Sequence, residues 1–185
     1  MDNARSRITA HLRGGEQLLW VGQPDPDVRF TPADAFLVPF SILWGGFAVV
    51  WETTVIVSGA PPLFVLWGIP FVLMGLYLIA GRFIVKKRWK LATVYGLTPS
   101  RAIVCTGERS FSDSPVRGVP TKVDRSKDGR HVTVVFGHQG AMGLFGFYQN
   151  TGLDFFARGL SPSVGFFDVH DPDGLLRALD HANVV

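Results

Sequence analysis

The stretches AFLVPFSILWGGFAVVW, residues 35–51, and PLFVLWGIPFVLMGLYLIAGRF, residues 62–83, decide the fold class of this chain. Helices of roughly 17 to 22 residues rise about 25–33 Å, which matches a hydrocarbon core of about 30 Å. Thr31, Pro32 and Asp34 suit N-cap, N1 and N3 positions, so the first helix is expected to begin at Pro32 and gain a turn. The expected spans are about 33–52 and 62–83, joined by the short segment Glu52 to Pro61 as a membrane hairpin. Asp34 then lies at the interface, beside the positive helix end. Neither leg carries an ionisable side chain at its centre. A transport path needs buried polar groups, so the kink expected at Pro70 does not argue for one.

Small residues let helix backbones approach closely, and Ser41, Gly45, Gly46, Gly68 and Gly75 are the expected contact between the legs. Charge sets the orientation. Arg5, Arg7, Arg13 and Arg29 precede the first leg, Arg82, Lys86, Lys87, Arg88 and Lys90 end or follow the second, and the connection has no Lys or Arg. The positive-inside rule therefore predicts a multi-pass inner-membrane protein with both termini cytoplasmic. A cleaved signal peptide is not expected, since the first apolar run begins some 30 residues in.

A hydrophobic fraction of 47% and only 18% charged residues fit a membrane anchor carrying a more polar domain. The net charge of +3 is small and much of the excess lies beside the spans, so topology explains it without a nucleic-acid partner. A single cysteine, Cys105, excludes an intramolecular disulfide, and its apolar strand makes it a small buried hydrophobe.

After Lys90 the continuous apolar pattern gives way to short alternating runs. Leu91–Tyr95, Arg101–Cys105, Arg109–Asp113, Thr121–Arg125, His131–Phe136 and Gly165–Val169 read as strands. Asp128-Gly129 is the strongest hairpin turn signal, with both positions able to take positive φ. Asp171 and Pro172 fit N-cap and N1 of a last helix whose Leu175, Leu176, Leu179 and Ala182 share one face. The organisation is thus residues 1–30 before the spans, 31–90 for the hairpin and 91–185 for an antiparallel, helix-capped domain.

The run Glu16-Gln-Leu-Leu-Trp-Val-Gly-Gln-Pro24 ahead of a two-span hairpin, the basic cluster, and Tyr95-Gly-Leu-Thr-Pro-Ser-Arg-Ala-Ile-Val104 resemble bacterial membrane proteins with a PH-like domain. The resemblance covers nearly the whole chain. It implies a membrane α-helical hairpin plus an α+β module, a bent antiparallel sheet or barrel capped by the C-terminal helix. It further implies that Glu16 to Val21 contributes a strand to that sheet. It carries no enzymatic chemistry to named positions. The scattered Arg101, Arg109, Arg117 and Lys122 do not form the basic hairpin of phosphoinositide-binding members.

Gly137, Gly140, Gly143 and Gly146 recur among Met142, Leu144, Phe145, Phe147 and Tyr148. Two readings stay open for this stretch: strands with glycine bends and aromatics in the core, or an apolar surface for lipid or a partner, which Leu153, Phe155, Phe156 and Leu160 would extend. Arg82, Lys86, Lys87, Arg88 and Lys90 are expected at the membrane surface, each worth about 1 kcal/mol of attraction to anionic headgroups.

Nucleophile-elbow, zincin and Walker motifs are absent from the sequence. Asp168, His170, Asp171 and Asp173 are the one polar cluster, read as a helix cap with solvated neighbours in preference to a metal site. No cofactor is expected. The expected role is a non-enzymatic adaptor with a protein partner and the bilayer as its contacts. The alternatives are an accessory subunit of a larger membrane enzyme complex and a lipid-headgroup-binding module.

Overall fold

The computed structural model describes residues 2–107, 110–137, 149–154 and 164–184. In order these form α1 (Asp2–Thr9), β1 (Trp20–Gly22), α2 (Asp34–Val57), α3 (Pro62–Leu76), a π-helical turn (Tyr77–Gly81) and α4 (Arg82–Ala92). β2 (Thr93–Leu97), β3 (Arg101–Thr106), β4 (Ser110–Pro115), β5 (Thr121–Arg125), β6 (Val132–Phe136), β7 (Val164–Val169) and α5 (Pro172–Val184) follow. The class is α+β, with two antiparallel sheets ordered β1-β2-β3-β4 and β5-β6-β7.

β1 precedes the two long helices in sequence yet pairs with β2 after them, Trp20 opposite Leu97 and Gly22 opposite Tyr95. Alternation along the strands sorts their side chains onto two faces. Val94, Ile103 and Cys105 face α1 and pack on Ala4 and Ile8. Tyr95, Leu97 and Ala102 face inward to Trp20, Phe136, Phe166 and Val169, where Leu175, Leu179 and Ala182 of α5 close the core. Burial raises the pKa of the Cys105 thiol, as the sequence pattern implies for a packed, unreactive cysteine.

Two helical runs, Asp34–Val57 and Pro62–Ala92, are long and apolar enough to cross a membrane. The first outlasts its expected end. Glu52 lies inside α2, not in the connection, and its carboxylate packs over Gly68. α3 stays helical through Pro70 and the one irregular turn is the π-helical Tyr77–Gly81, where the backbone hydrogen bonds widen by a residue.

Ser41, Gly45, Gly68 and Gly75 are buried where α2 meets α3. Gly46 is not, and a side chain there would meet nothing within 4 Å; it points away from α3, so its expected role in the contact is corrected. A Cβ on Gly75 would stand 2.9 Å from the Gly45 Cα, backbone that cannot yield. Gly75→Val is expected to separate the helices and cost about 1–3 kcal/mol, the usual range for overpacking. Gly46→Ala should be near neutral. Unfolding of both variants in mixed detergent against sodium dodecyl sulfate checks the contrast.

β5 has its expected bounds, β2, β3, β4, β6 and β7 start and end within two residues of theirs where the structure describes them, and β1 spans only Trp20–Gly22 against the expected Glu16 to Val21. The turn between β5 and β6 differs. Ser126 N–H bonds His131 O and only Gly129 takes positive φ, so the loop is longer than the two-residue turn that Asp128-Gly129 suggested. Asp171 does cap α5, accepting the Gly174 N–H at 3.0 Å. Met142, Leu144, Phe145 and Phe147 lie outside the described residues, as do Phe155, Phe156 and Leu160. Leu153 is described and buried against Ala33, Leu37 and Leu78, so it belongs to no exposed surface.

Candidate functional site

α4 carries cations at two spacings. Arg82, Lys86 and Lys90 recur every four residues and so share one face, while Lys87 and Arg88 fall on the opposite side. The first three are buried and only Lys87 and Arg88 are exposed, which corrects the expected row of five surface cations. Each inward cation meets its own acceptors. Arg82 pairs with the Asp34 carboxylate at the start of α2, both almost fully buried, and its Nε donates to Leu78 O at 2.9 Å. Lys86 Nζ donates to Arg29 O at 2.8 Å. Lys90 Nζ donates to Asp25 O, Val28 O and the Asp168 carboxylate at 2.9, 2.7 and 2.6 Å.

Asp34 also holds its own helix start. Its Oδ2 accepts both the backbone N–H and the hydroxyl of Thr31, at 2.6 and 2.9 Å. These bonds tie the carboxylate to the turn before the helix; α2 begins at Asp34 with Ala33 at its N-cap, so the expected start at Pro32 and its cap are corrected. Asp34 is therefore a buried ion-pair partner at the start of α2.

Residues 149–154 cover the π-helical turn. The Tyr77 hydroxyl donates to Gly152 O, and Gly152, at φ 82°, lies so close that a Cβ would stand 2.2 Å from Arg82 O. Asp154 folds back to accept the Asn150 and Gly152 N–H groups, while burial, outweighing those bonds, raises its pKa. Asn150 Nδ2 donates to Asp168 Oδ2 at 2.6 Å, which joins this segment to Lys90.

Between α4, the inner face of β2–β3 and β7 lies an open cavity of about 530 Å³, with Lys86, Lys90, Tyr95, Asn150, Asp154 and Phe167 in its wall. The buried Tyr95 hydroxyl accepts the Phe167 N–H at 3.1 Å, and burial raises its pKa above the ordinary range. Polar groups of both signs line this space beside the carbonyls of residues 25–29.

No family model, curated protein or solved structure matches this chain.

The runs Glu16–Pro24 and Tyr95–Val104 meet in space. Arg101 makes a bidentate fork with Glu16, Nε to Oε1 at 2.9 Å and Nη2 to Oε2 at 2.6 Å, and reaches Asp113 at 2.9 Å and His11 O at 2.9 Å. Thr98 donates to the same Glu16 at 2.8 Å. The Arg101 guanidinium, against a smaller opposing effect of burial, holds the Glu16 carboxyl well below the usual carboxylate range. These residues fasten the segment before β1 onto the β2–β3 turn.

The sequence cluster Asp168, His170, Asp171 and Asp173 does not converge. Asp168 turns inward to Lys90, Asp171 caps α5 and Asp173 pairs with Arg125 at 3.2 Å. His170 instead approaches Asp25, as does His131. Neither Asp25 nor His131 has a local sequence signal for this role, since three separate connections bring the residues together. For the inward cations a signal did exist, in the four-residue spacing.

Proposed function

We propose that this chain is an integral membrane protein of the bacterial inner membrane, in which α2 and α3 cross the bilayer as a hairpin with both termini cytoplasmic. A PH-like α+β module is held against the inner face and acts by binding a protein partner, not by chemistry. The observation that carries this reading is the surface of the two helices. Leu43, Val57, Leu63 and Trp67 are 73, 81, 73 and 67% exposed, on helices that a soluble domain would cover. Four- and three-stranded antiparallel sheets followed by a C-terminal helix support the PH-like assignment. The edge strand β5, exposed along its whole length, offers backbone for strand addition. The inward cations fasten the module to the helix, and outward are Arg88, which can meet headgroups, and Lys87, which pairs with the exposed Asp27 at 3.3 Å.

Topology is testable because the lone Cys105 is buried and can be replaced by alanine. In that background, a membrane-impermeant maleimide applied to cells with a permeabilised outer membrane should label Ser58→Cys in the α2–α3 connection and leave Asp180→Cys on α5 unlabelled until lysis. External labelling of Asp180→Cys, or recovery of the chain in the soluble fraction, overturns the hairpin. A photo-crosslinking residue at Val123 should capture one protein in stoichiometric yield, and its failure to do so removes the adaptor role.

A further inference from the structure

Asp25 follows β1, His131 precedes β6 and His170 follows β7, yet their donor atoms all lie within 4.8 Å of one another. Asp25 Oδ2 is 2.9 Å from His131 Nε2 and 3.7 Å from His170 Nδ1. Donors at about 2.0–2.2 Å from a tetrahedral ion stand roughly 3.3–3.6 Å apart, so small side-chain shifts would complete the geometry. The imidazoles are inclined at 55° with centroids 5.4 Å apart. They are not stacked, and their nitrogens, not their faces, converge on the carboxylate.

A plain Asp–His hydrogen bond needs one imidazole; a second one directed at the same carboxylate oxygen is what a metal site needs. The backbone around the three residues is already fixed. Pro24 bridges Val169, so Asp25 and His170 leave adjoining strand positions, and Asp25 N–H donates to Asp168 O at 2.9 Å. Asp25 Oδ1 accepts the Asp27 N–H at 2.8 Å, leaving Oδ2 toward the histidines, and the backbone N–H of His131 donates to Ser126 Oγ at 3.0 Å. The bond to Asp25 Oδ1 is of the kind that orients a ligating carboxylate.

We propose that Asp25, His131 and His170 form a site for a divalent transition-metal ion of the zinc class. Two imidazoles and one carboxylate suit zinc, and disfavour calcium and magnesium, which take oxygen donors. The His170 side chain is 74% exposed, so the remaining coordination position opens to water. The ion clips the segment leading into α2 onto the second sheet, next to the Lys90–Asp168 pair. This inference does not depend on the hairpin or on the adaptor role.

The test uses the full chain, purified in detergent without a histidine tag and stripped with a chelator. Calorimetry should find one Zn²⁺ per chain and no Mg²⁺ uptake, and Co²⁺ should give visible d–d absorption. His170→Ala, on an exposed side chain, leaves the fold intact and should weaken Zn²⁺ binding by at least the roughly 10- to 100-fold that loss of an outer partner already costs. His181→Ala, an exposed histidine elsewhere, should leave binding unchanged. Absence of stoichiometric Zn²⁺ binding to the parent protein, or equal losses in the two histidine variants, overturns the site.

Discussion

Arg82→Leu is expected to destabilise the protein by about 3–5 kcal/mol, the usual loss when one partner of a buried ion pair is removed. Asp34 would be left as a buried, unpaired carboxylate, with Thr31 its only remaining donor among the described residues. The double variant Arg82→Leu/Asp34→Asn should recover most of that loss. The amide keeps an acceptor for the Thr31 N–H while removing the orphaned charge, and a buried pair replaced as a unit is often close to neutral. Unfolding in detergent, followed by circular dichroism, reads both variants. A double variant as unstable as the single one would trace the loss to packing of the arginine stem and not to the charge.

A second large loss is expected for Arg101→Leu, again about 3–5 kcal/mol, because Glu16 is 8% exposed and would keep its charge without the fork that holds it. The corresponding fall in melting temperature is on the order of 10 °C for a chain of this size. Arg101→Lys should rescue little, since one ammonium cannot reproduce two parallel bonds to a carboxylate and a third to Asp113. The effect has a pH signature. The folded-state pKa of Glu16 is depressed, so its stabilisation is complete above the unfolded value of about 4.3 and is lost progressively as pH falls below it. The gap between parent and Arg101→Leu should therefore be widest near neutrality and close under acid. A gap that stayed constant down to pH 2 would mean that Glu16 is not what Arg101 stabilises.

Local signals made the elements legible. Uncharged apolar runs located α2 and α3, alternation located β5 with its bounds, and Asp171-Pro172 marked the start of α5. Pairing across long separations was not legible in the same way. Arg82 and Asp34 stand 48 positions apart, and a basic cluster beside an apolar helix reads as a surface feature until its partners are known. The spacing of Arg82, Lys86 and Lys90 held the missed clue, because a helix that buries one stripe must sort its charges by face. Glu52 was misplaced for a related reason. A carboxylate ordinarily marks the end of an apolar helix, but here a glycine on the neighbouring helix leaves room for it, and α2 runs on to Val57. Of the Asp25, His131 and His170 arrangement only His170 stood in a polar cluster of the sequence, because strand topology brings the other two to it.

The pairing of β1 with β2 also has a consequence in time. Trp20 is synthesised 77 positions before its partner Leu97. At about 5–20 residues per second, the first strand waits roughly 4–15 s for the second to leave the ribosome. Throughout that interval α1 and β1 have no sheet to join, and the chain's most apolar helices are made in between. The first sheet thus cannot close on a nascent chain that has stalled before Thr93. Assembly of the module reports that both helices have already been translated, so an interrupted product is left with an open strand that proteases can recognise.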